Sequence, residues 1–165
     1  MPIEWSEKYS VGHKEIDDQH KELFRLAALF LEAQGKESQK TSSKAFHQYT
    51  QDHFWHEENI MHEVKYPFTA THLRQHQDLL EKLRAIDLKI DANALYGADL
   101  EVFINHWLLE HIAKIDSQLV VYVRRSLQTA WYSPAIFSEQ LTSKAEVERA
   151  LRAIRAMQPI IWRYS

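Results

Sequence analysis

A chain of 165 residues with 20 Lys and Arg against 23 Asp and Glu is long enough for one domain with a sizeable core, and its interspersed charges form no basic stripe, which argues against a nucleic-acid partner. It has no cysteine, which excludes a disulfide framework, a thiolate metal site and a cysteine nucleophile; any metal must be held by His and carboxylate. The start Met1-Pro2-Ile3-Glu4-Trp5 lacks a charged-then-apolar leader and no apolar run approaches about 20 residues, so a soluble, cytoplasmic protein without a membrane span is expected.

Residues 1–16 carry Trp5, Tyr9 and Gly12 without helical periodicity and are expected to form an extended arm along the body of the protein. Asp17 or Asp18 is the expected cap of a first helix, in which Leu23, Phe24, Leu26, Ala27, Phe30 and Leu31 make a buried face. Gly35 ends it. After polar residues 36–42, Ser42 or Ser43 is expected to cap a second helix through Phe46, His53, Glu57 and Met61, which Tyr66-Pro67 breaks. Thr69 or Thr71 opens a third, with Leu73, His76, Leu79, Leu80, Leu83 and Ile86 on one side, fading near Asp91. A turn over Leu95 to Asp99 leads to a fourth through Ile104, Trp107, His111, Ile115, Leu119 and Tyr122.

Nothing alternates with period two over a useful length, and no motif recurs between the breaks at Gly35, Pro67, Gly97 and Pro134. Short links favour an all-α, up-down-up-down antiparallel four-helix bundle over residues 1–127. Residues 128–165 form an expected C-terminal helical extension packed on that bundle. There Ser133-Pro134 is a helix start, Ser143-Lys144-Ala145-Glu146 is a capping box for an amphipathic helix with Val147, Ala150, Leu151, Ile154 and Met157, and Ile160, Ile161, Trp162 and Tyr164 make an apolar tail.

The chemistry lies in His53-Phe54-Trp55-His56-Glu57-Glu58 and in His72-Leu73-Arg74-Gln75-His76. A helix advances 100° per residue, so His53 and Glu57 fall about 40° apart, as do His72 and His76. In an up-down-up-down bundle the start of the first helix, the end of the second, the start of the third and the later part of the fourth share a level, which brings His20, His53, Glu57, His72, His76, His111 and Asp116 together. Five imidazoles and two bridging-capable carboxylates are too many for one tetrahedral zinc and match two metals of five to six coordination. His111 and Asp116 are about 140° apart on a regular helix, so either a π-type bulge lies between them or the carboxylate reaches round. His13, His47, His56 and His62 are expected at the surface and His106 at the periphery. Glu58 is assigned to solvent or to supporting a ligand, while Phe24, Phe54, Trp107, Leu108, Ile112 and Ile115 wall the pocket. Compared with carboxylate-rich di-iron bundles, neutral imidazoles donate less to high-valent iron, which favours reversible capture of O2 over cleavage of its bond.

The pattern Asp17-x-x-His20, His53-Phe54-x-x-Glu57-Glu58 with Met61 and Tyr66-Pro67, His72-x-x-x-His76, and Trp107-Leu108-x-x-His111-Ile112-x-x-x-Asp116 resembles the hemerythrin family, in particular its bacterial members, over roughly residues 1–125. The resemblance implies two non-haem Fe ions with an oxo or hydroxo bridge and O2 as the ligand. It implies that His72, His76 and His111 hold a six-coordinate iron, that His20 and His53 hold one with an open position, and that Glu57 and Asp116 bridge them. The implied function is oxygen carriage, storage or sensing. The competing readings are a di-iron oxidase, peroxidase or NO-handling enzyme, an O2-responsive signalling module that meets a protein partner or a second copy through the C-terminal helix, and a metal-free bundle.

Overall fold

The computed structural model describes residues 3–95 and 97–132, with side chains as far as Ser126. Its helices are α1 (Lys14–Glu32), α2 (Lys36–Glu63), α3 (Thr69–Asp91), α4 (Gly97–Glu110) and α5 (Ser117–Tyr132), with a π-helical turn, His111–Asp116, joining α4 to α5 in one continuous rod. No strand occurs among the described residues. The α2 helix packs against α1 and α3, and α1 also packs against α4, which makes the four rods a four-helix bundle.

Each helix turns an apolar stripe inward. Phe24, Phe30, Phe46, Leu83, Ile104 and Leu108 are all buried in the larger of two apolar clusters. The smaller one gathers Ile16, Ile60, Met61, Tyr66, Leu119, Val120 and Val123 at the end of the bundle beyond the ligand-type residues.

The arm is real and is tied down. A short 3-10 turn, Glu7–Tyr9, brings Tyr9 onto Phe24, stacked with ring centroids 5.3 Å apart, and Trp5 edge-on to the same ring at 5.6 Å. Asp17 holds the end of the arm, accepting from Ser10 Oγ (2.7 Å), Val11 N (2.8 Å) and Gly12 N (3.2 Å). That contact displaces the capping role expected of it. The α1 helix starts at Lys14 with His13 before it and no side-chain cap, while Asp18 pairs with Lys14 one turn back.

Several boundaries also differ. Helix α1 ends at Glu32, and Gly35, at φ 78°, stands at the start of α2 instead of closing α1. The polar residues from Lys36 are the first turns of α2, since a solvent-facing stretch needs no apolar stripe to be helical. Ser43, deep in that helix, is buried and donates to Asp87 Oδ1 on α3 rather than capping anything. Helix α3 opens at Thr69, whose hydroxyl donates to Tyr66 O, and α4 begins at Gly97, inside the expected turn. Helix α5 runs past Leu127 to Tyr132, and the rest of the expected extension, residues 133–165, lies outside the described residues.

Candidate metal centre

His20 projects from the second turn of α1, His53 and Glu57 from the later half of α2, His72 and His76 from the start of α3, and His111 and Asp116 from the two ends of the π turn. All seven are buried, none more than 5% exposed. The π turn is what admits Asp116. At a wider pitch, positions i and i+5 come nearly into line, so a carboxylate that a regular helix would aim elsewhere is fully buried beside His111.

Two overlapping constellations result, Glu57-His72-His76-His111 and His20-His53-Glu57-Asp116, in each of which the ligand atoms lie within 4.8 Å of one another. Glu57 belongs to both. Its Oε2 lies 3.3 Å from His76 Nε2, 3.5 Å from His72 Nε2 and 3.7 Å from His53 Nε2. Asp116 reaches across as well, with Oδ1 3.2 Å from His111 Nε2 and 3.4 Å from His72 Nε2, and Oδ2 3.2 Å from His20 Nε2. None of these approaches is a formed hydrogen bond: the Nε2 atoms of all five imidazoles and every carboxylate oxygen of Glu57 and Asp116 are buried without a hydrogen-bond partner. Buried polar atoms are almost always satisfied, so bare nitrogens and oxygens turned inward on one shared space are the signature of groups that coordinate a cation.

Two of the outer nitrogens are treated differently, while those of His20 and His72 are buried without a partner. His53 Nδ1 donates to Gln19 Oε1 at 2.9 Å, and His76 Nδ1 donates to Glu58 Oε1 at 3.0 Å. Each bond puts the ring's proton on Nδ1 and frees Nε2 as a lone-pair donor toward the centre. Gln19 was not legible as a support from the sequence, although it directly precedes a ligand-type residue; Glu58 takes the supporting role open to it.

Electrostatics point the same way. Burial drives the imidazoles to neutrality, leaving His111 at about 4, His76 at about 2 with His111 and His72 adding to the effect, and His53 well below its usual value. Burial, reinforced by Asp116, pushes Glu57 up to about 8. Burial opposes ionisation of Asp116 too, but His111, His20 and His72 outweigh it and hold its carboxyl well below the usual range. Burial likewise opposes a charge on His72, yet Asp116 and Glu57 raise it to about 9. With only protons to neutralise them, the two carboxylates depend on a proton on Glu57 and a charged His72, beside His53, His76 and His111, which burial keeps uncharged. Two divalent cations resolve that conflict without protonating anything, and the donor set fits them.

The walls are aromatic and aliphatic. Phe54 stacks on His76 with centroids 3.6 Å apart and planes 3° off parallel, Trp107 stacks on His111 at 6.1 Å, and Leu108 and Ile112 are buried beside them. Phe24 lies one ring further out, beneath the arm, and Ile115 is only half-buried. Trp5 leans over His20 at 6.4 Å, a wall residue that the arm's lack of periodicity hid. Of the other histidines, His62 and His106 are exposed as expected, and His13 and His47 are half-buried. His56 corrects the expectation: it is buried between α2 and α1, its Nε2 3.9 Å from Glu15 Oε1, with a pKa lowered by burial and then by His13.

The model of the hemerythrin HHE cation-binding domain matches residues 11–123. The chain belongs to the hemerythrin family. It is 29% identical over 126 residues to a bacteriohemerythrin of Pseudomonas paraeruginosa, covering 74% of this chain and 82% of that one. It is 32% identical over 115 residues to the myohemerythrin of Sipunculus nudus, covering 70% of this chain and 88% of that one. A crystal structure of a hemerythrin point mutant superposes with a TM-score of 0.66 at 25% identity, covering 72% of this chain and 95% of that one. As a hemerythrin, the protein binds oxygen at a non-haem di-iron centre, and its His, Glu and Asp cluster is built to hold metal. Among the described residues no helix is long and apolar enough to cross a membrane.

Proposed function

We propose that this hemerythrin is a reversible O2 store or carrier of the cytoplasm, with one iron held by His72, His76 and His111, the other by His20 and His53, and Glu57 and Asp116 bridging the pair. The observation that carries this reading is the inequality of the two constellations: three imidazoles converge with Glu57 on one side, and two converge with Glu57 and Asp116 on the other. Equal sharing of the carboxylates leaves the His20–His53 side one donor short, and that is the side for a small gas.

When bound, two ferrous ions supply the electrons and the coordination that hold O2 reversibly. The chain supplies everything else. Glu57 and Asp116 offset the added positive charge in a site where burial would make an uncompensated one costly. Gln19 and Glu58 fix which nitrogen of His53 and His76 faces inward. Phe54, Trp107, Leu108 and Ile112 keep out bulk water that would promote irreversible oxidation, and Trp5 and Phe24 close the His20 side beneath the arm. The cysteine-free composition is compatible with a reducing compartment.

Protein purified without oxygen should carry two irons per chain and develop a visible absorption band on exposure to air that disappears when oxygen is removed and returns over repeated cycles. A band that forms once and does not reverse, or turnover of peroxide or nitric oxide faster than by free iron, overturns the reading.

A further inference from the structure

Between α2 and α3, in the half of each helix remote from the metal layer, Lys40, Lys44 and His47 face Arg84, Asp87 and Asp91 across a hollow of about 370 Å³. Pockets that take small organic ligands run from about 300 to 1,000 Å³, so this one is at the small end of that range. Spacings of three and four residues put each set on one side of its helix. The groove is therefore a pair of polar rows, with nothing in it that belongs to the metal cluster.

Its acidic groups are already engaged within the chain. Asp87 Oδ1 accepts from the buried Ser43 Oγ at 2.5 Å, and Asp87 Oδ2 lies 3.4 Å from His47 Nδ1. Asp91 is paired with Lys40 Nζ at 2.6 Å. Lys44 and Arg84, both exposed, have no ion pair or hydrogen bond among the described residues, so two cations on opposite helices are left over. A third group is left over beside them. Asp87 takes the Nδ1 side of the His47 ring, and the Nε2 atom is buried without a hydrogen-bond partner. A buried ring nitrogen is almost always satisfied, by protein, water or a bound ligand.

We propose that this groove binds a phosphomonoester, a small organic molecule whose phosphate bridges Lys44 of α2 and Arg84 of α3 and meets His47 Nε2. A phosphate monoester carries a charge of about −1.5 to −2 at neutral pH and three strong acceptor oxygens. Those properties match two unpartnered cations and a third polar group, whereas a carboxylate brings a single charge and two oxygens. Arg84 presents a planar fork for two of the oxygens, and Lys44 a point charge for the third. With its own proton on Nδ1 toward Asp87, His47 offers Nε2 as an acceptor for the P–OH of the singly protonated ester. His47 stands six residues, about 9 Å of helix, before His53, so occupancy of the groove is independent of what the metal centre binds.

Equilibrium dialysis of the iron-loaded full chain against radiolabelled glycerol 2-phosphate, in chloride at fixed ionic strength, should show a single saturable site per chain. Lys44→Ala and Arg84→Ala, changes at exposed positions, should each weaken binding several-fold and together by roughly tenfold or more, with helical circular dichroism unchanged. Lys82→Ala removes an exposed charge of α3 that does not line the groove, and should leave binding as it was. In metal-free protein the His47 C2 proton resonance, identified by its loss in His47→Gln, should shift along the same binding curve. Uptake that never saturates, equal losses in Lys82→Ala and Arg84→Ala, or a His47 resonance that does not move would overturn the proposal. So would binding that survives removal of Lys44 and Arg84 but disappears with the iron, which would place the phosphate on the metals instead. Because the groove should bind equally with and without iron, its failure is distinguishable from failure of the oxygen-binding reading.

Discussion

Glu58 offers a way to measure how much the surroundings of a ligand contribute to metal affinity. Its Oε1 accepts the Nδ1 proton of His76 at 3.0 Å, which pins the tautomer that points Nε2 at the centre. A hydrogen bond to a charged group contributes about 1.5–3 kcal/mol. The Glu58 side chain is 39% exposed, so water can take over as acceptor when it is removed, and Phe54, stacked on the ring, still holds its plane. Both effects select the lower end, about 1.5 kcal/mol, or roughly a tenfold loss of iron affinity for Glu58→Ala. Glu58→Gln keeps an acceptor and should recover most of it. Gln19→Ala removes a neutral acceptor from His53, worth about 1 kcal/mol, and should cost roughly fivefold. Anaerobic competition between the metal-free protein and a ferrous chelator measures all three. Wild-type affinity in Glu58→Ala, or equal losses in the Ala and Gln variants, would refute the argument that this bond orients His76.

Glu57 is common to both constellations, so Glu57→Gln should lower bound iron from two per chain to one or fewer by metal analysis, with helical circular dichroism retained. In the core, Leu108→Ala should cost about 2–5 kcal/mol in denaturant unfolding because Leu108 is fully buried, whereas Val102→Ala, at a position 70% exposed, should stay within about 0.5 kcal/mol. The metal-free protein should be most stable near pH 6.5. Below that value, the unfolded chain takes up protons that His53, His76 and His111 refuse in the fold. These outnumber the one proton Glu57 retains, so stability falls with acid. Above it, the fold keeps protons on Glu57 up to about 8 and on His72 up to about 9 that the unfolded chain releases, so stability falls with base. Iron takes the place of those retained protons, so the loaded protein should lose the alkaline decline. Thermal unfolding across this range, with and without iron, shows whether the maximum exists and whether metal removes its upper side.

The convergence of the seven ligand-type side chains was legible because helix periodicity and bundle topology set the level of each one directly. Five residues from His111 to Asp116 do not suit a regular helix, and the π turn is the expected consequence. The start of α3 at Thr69 was legible, but those of α1 and α2 were less so, because Asp17 and Ser43 have hydrogen-bonding side chains that serve tertiary contacts as readily as caps, and the arm and α3 claimed them. His56 shows a different limit. Three residues after His53, it lies about 60° round the helix, close enough to the ligand stripe to be buried against α1, and residue type alone cannot distinguish that position from the surface. Trp5 over His20 was hidden because an arm has no period from which to infer a facing.

The position of the polar layer within the bundle connects metal binding to the fold. Along α1, Ile16 belongs to the smaller apolar cluster and Leu23 to the larger, with His20 between them. The same order holds for Ile60, Glu57 and Phe54 on α2, for Tyr66, His72 and Leu79 at α3, and for Leu119, Asp116 and Ile112 on the fourth rod. Every rod therefore passes from one apolar cluster through a layer of ligand-type side chains to the other. Apolar contacts alone stabilise each cluster but do not join them across a layer whose inward-facing atoms lack hydrogen-bond partners. Metal ions held by residues of all four rods would make that join, because the coordination energy is available only when the rods are in register. A metal site on these residues would thus also fasten the two halves of the core, and Asp116 reaches that level through a departure from regular helix.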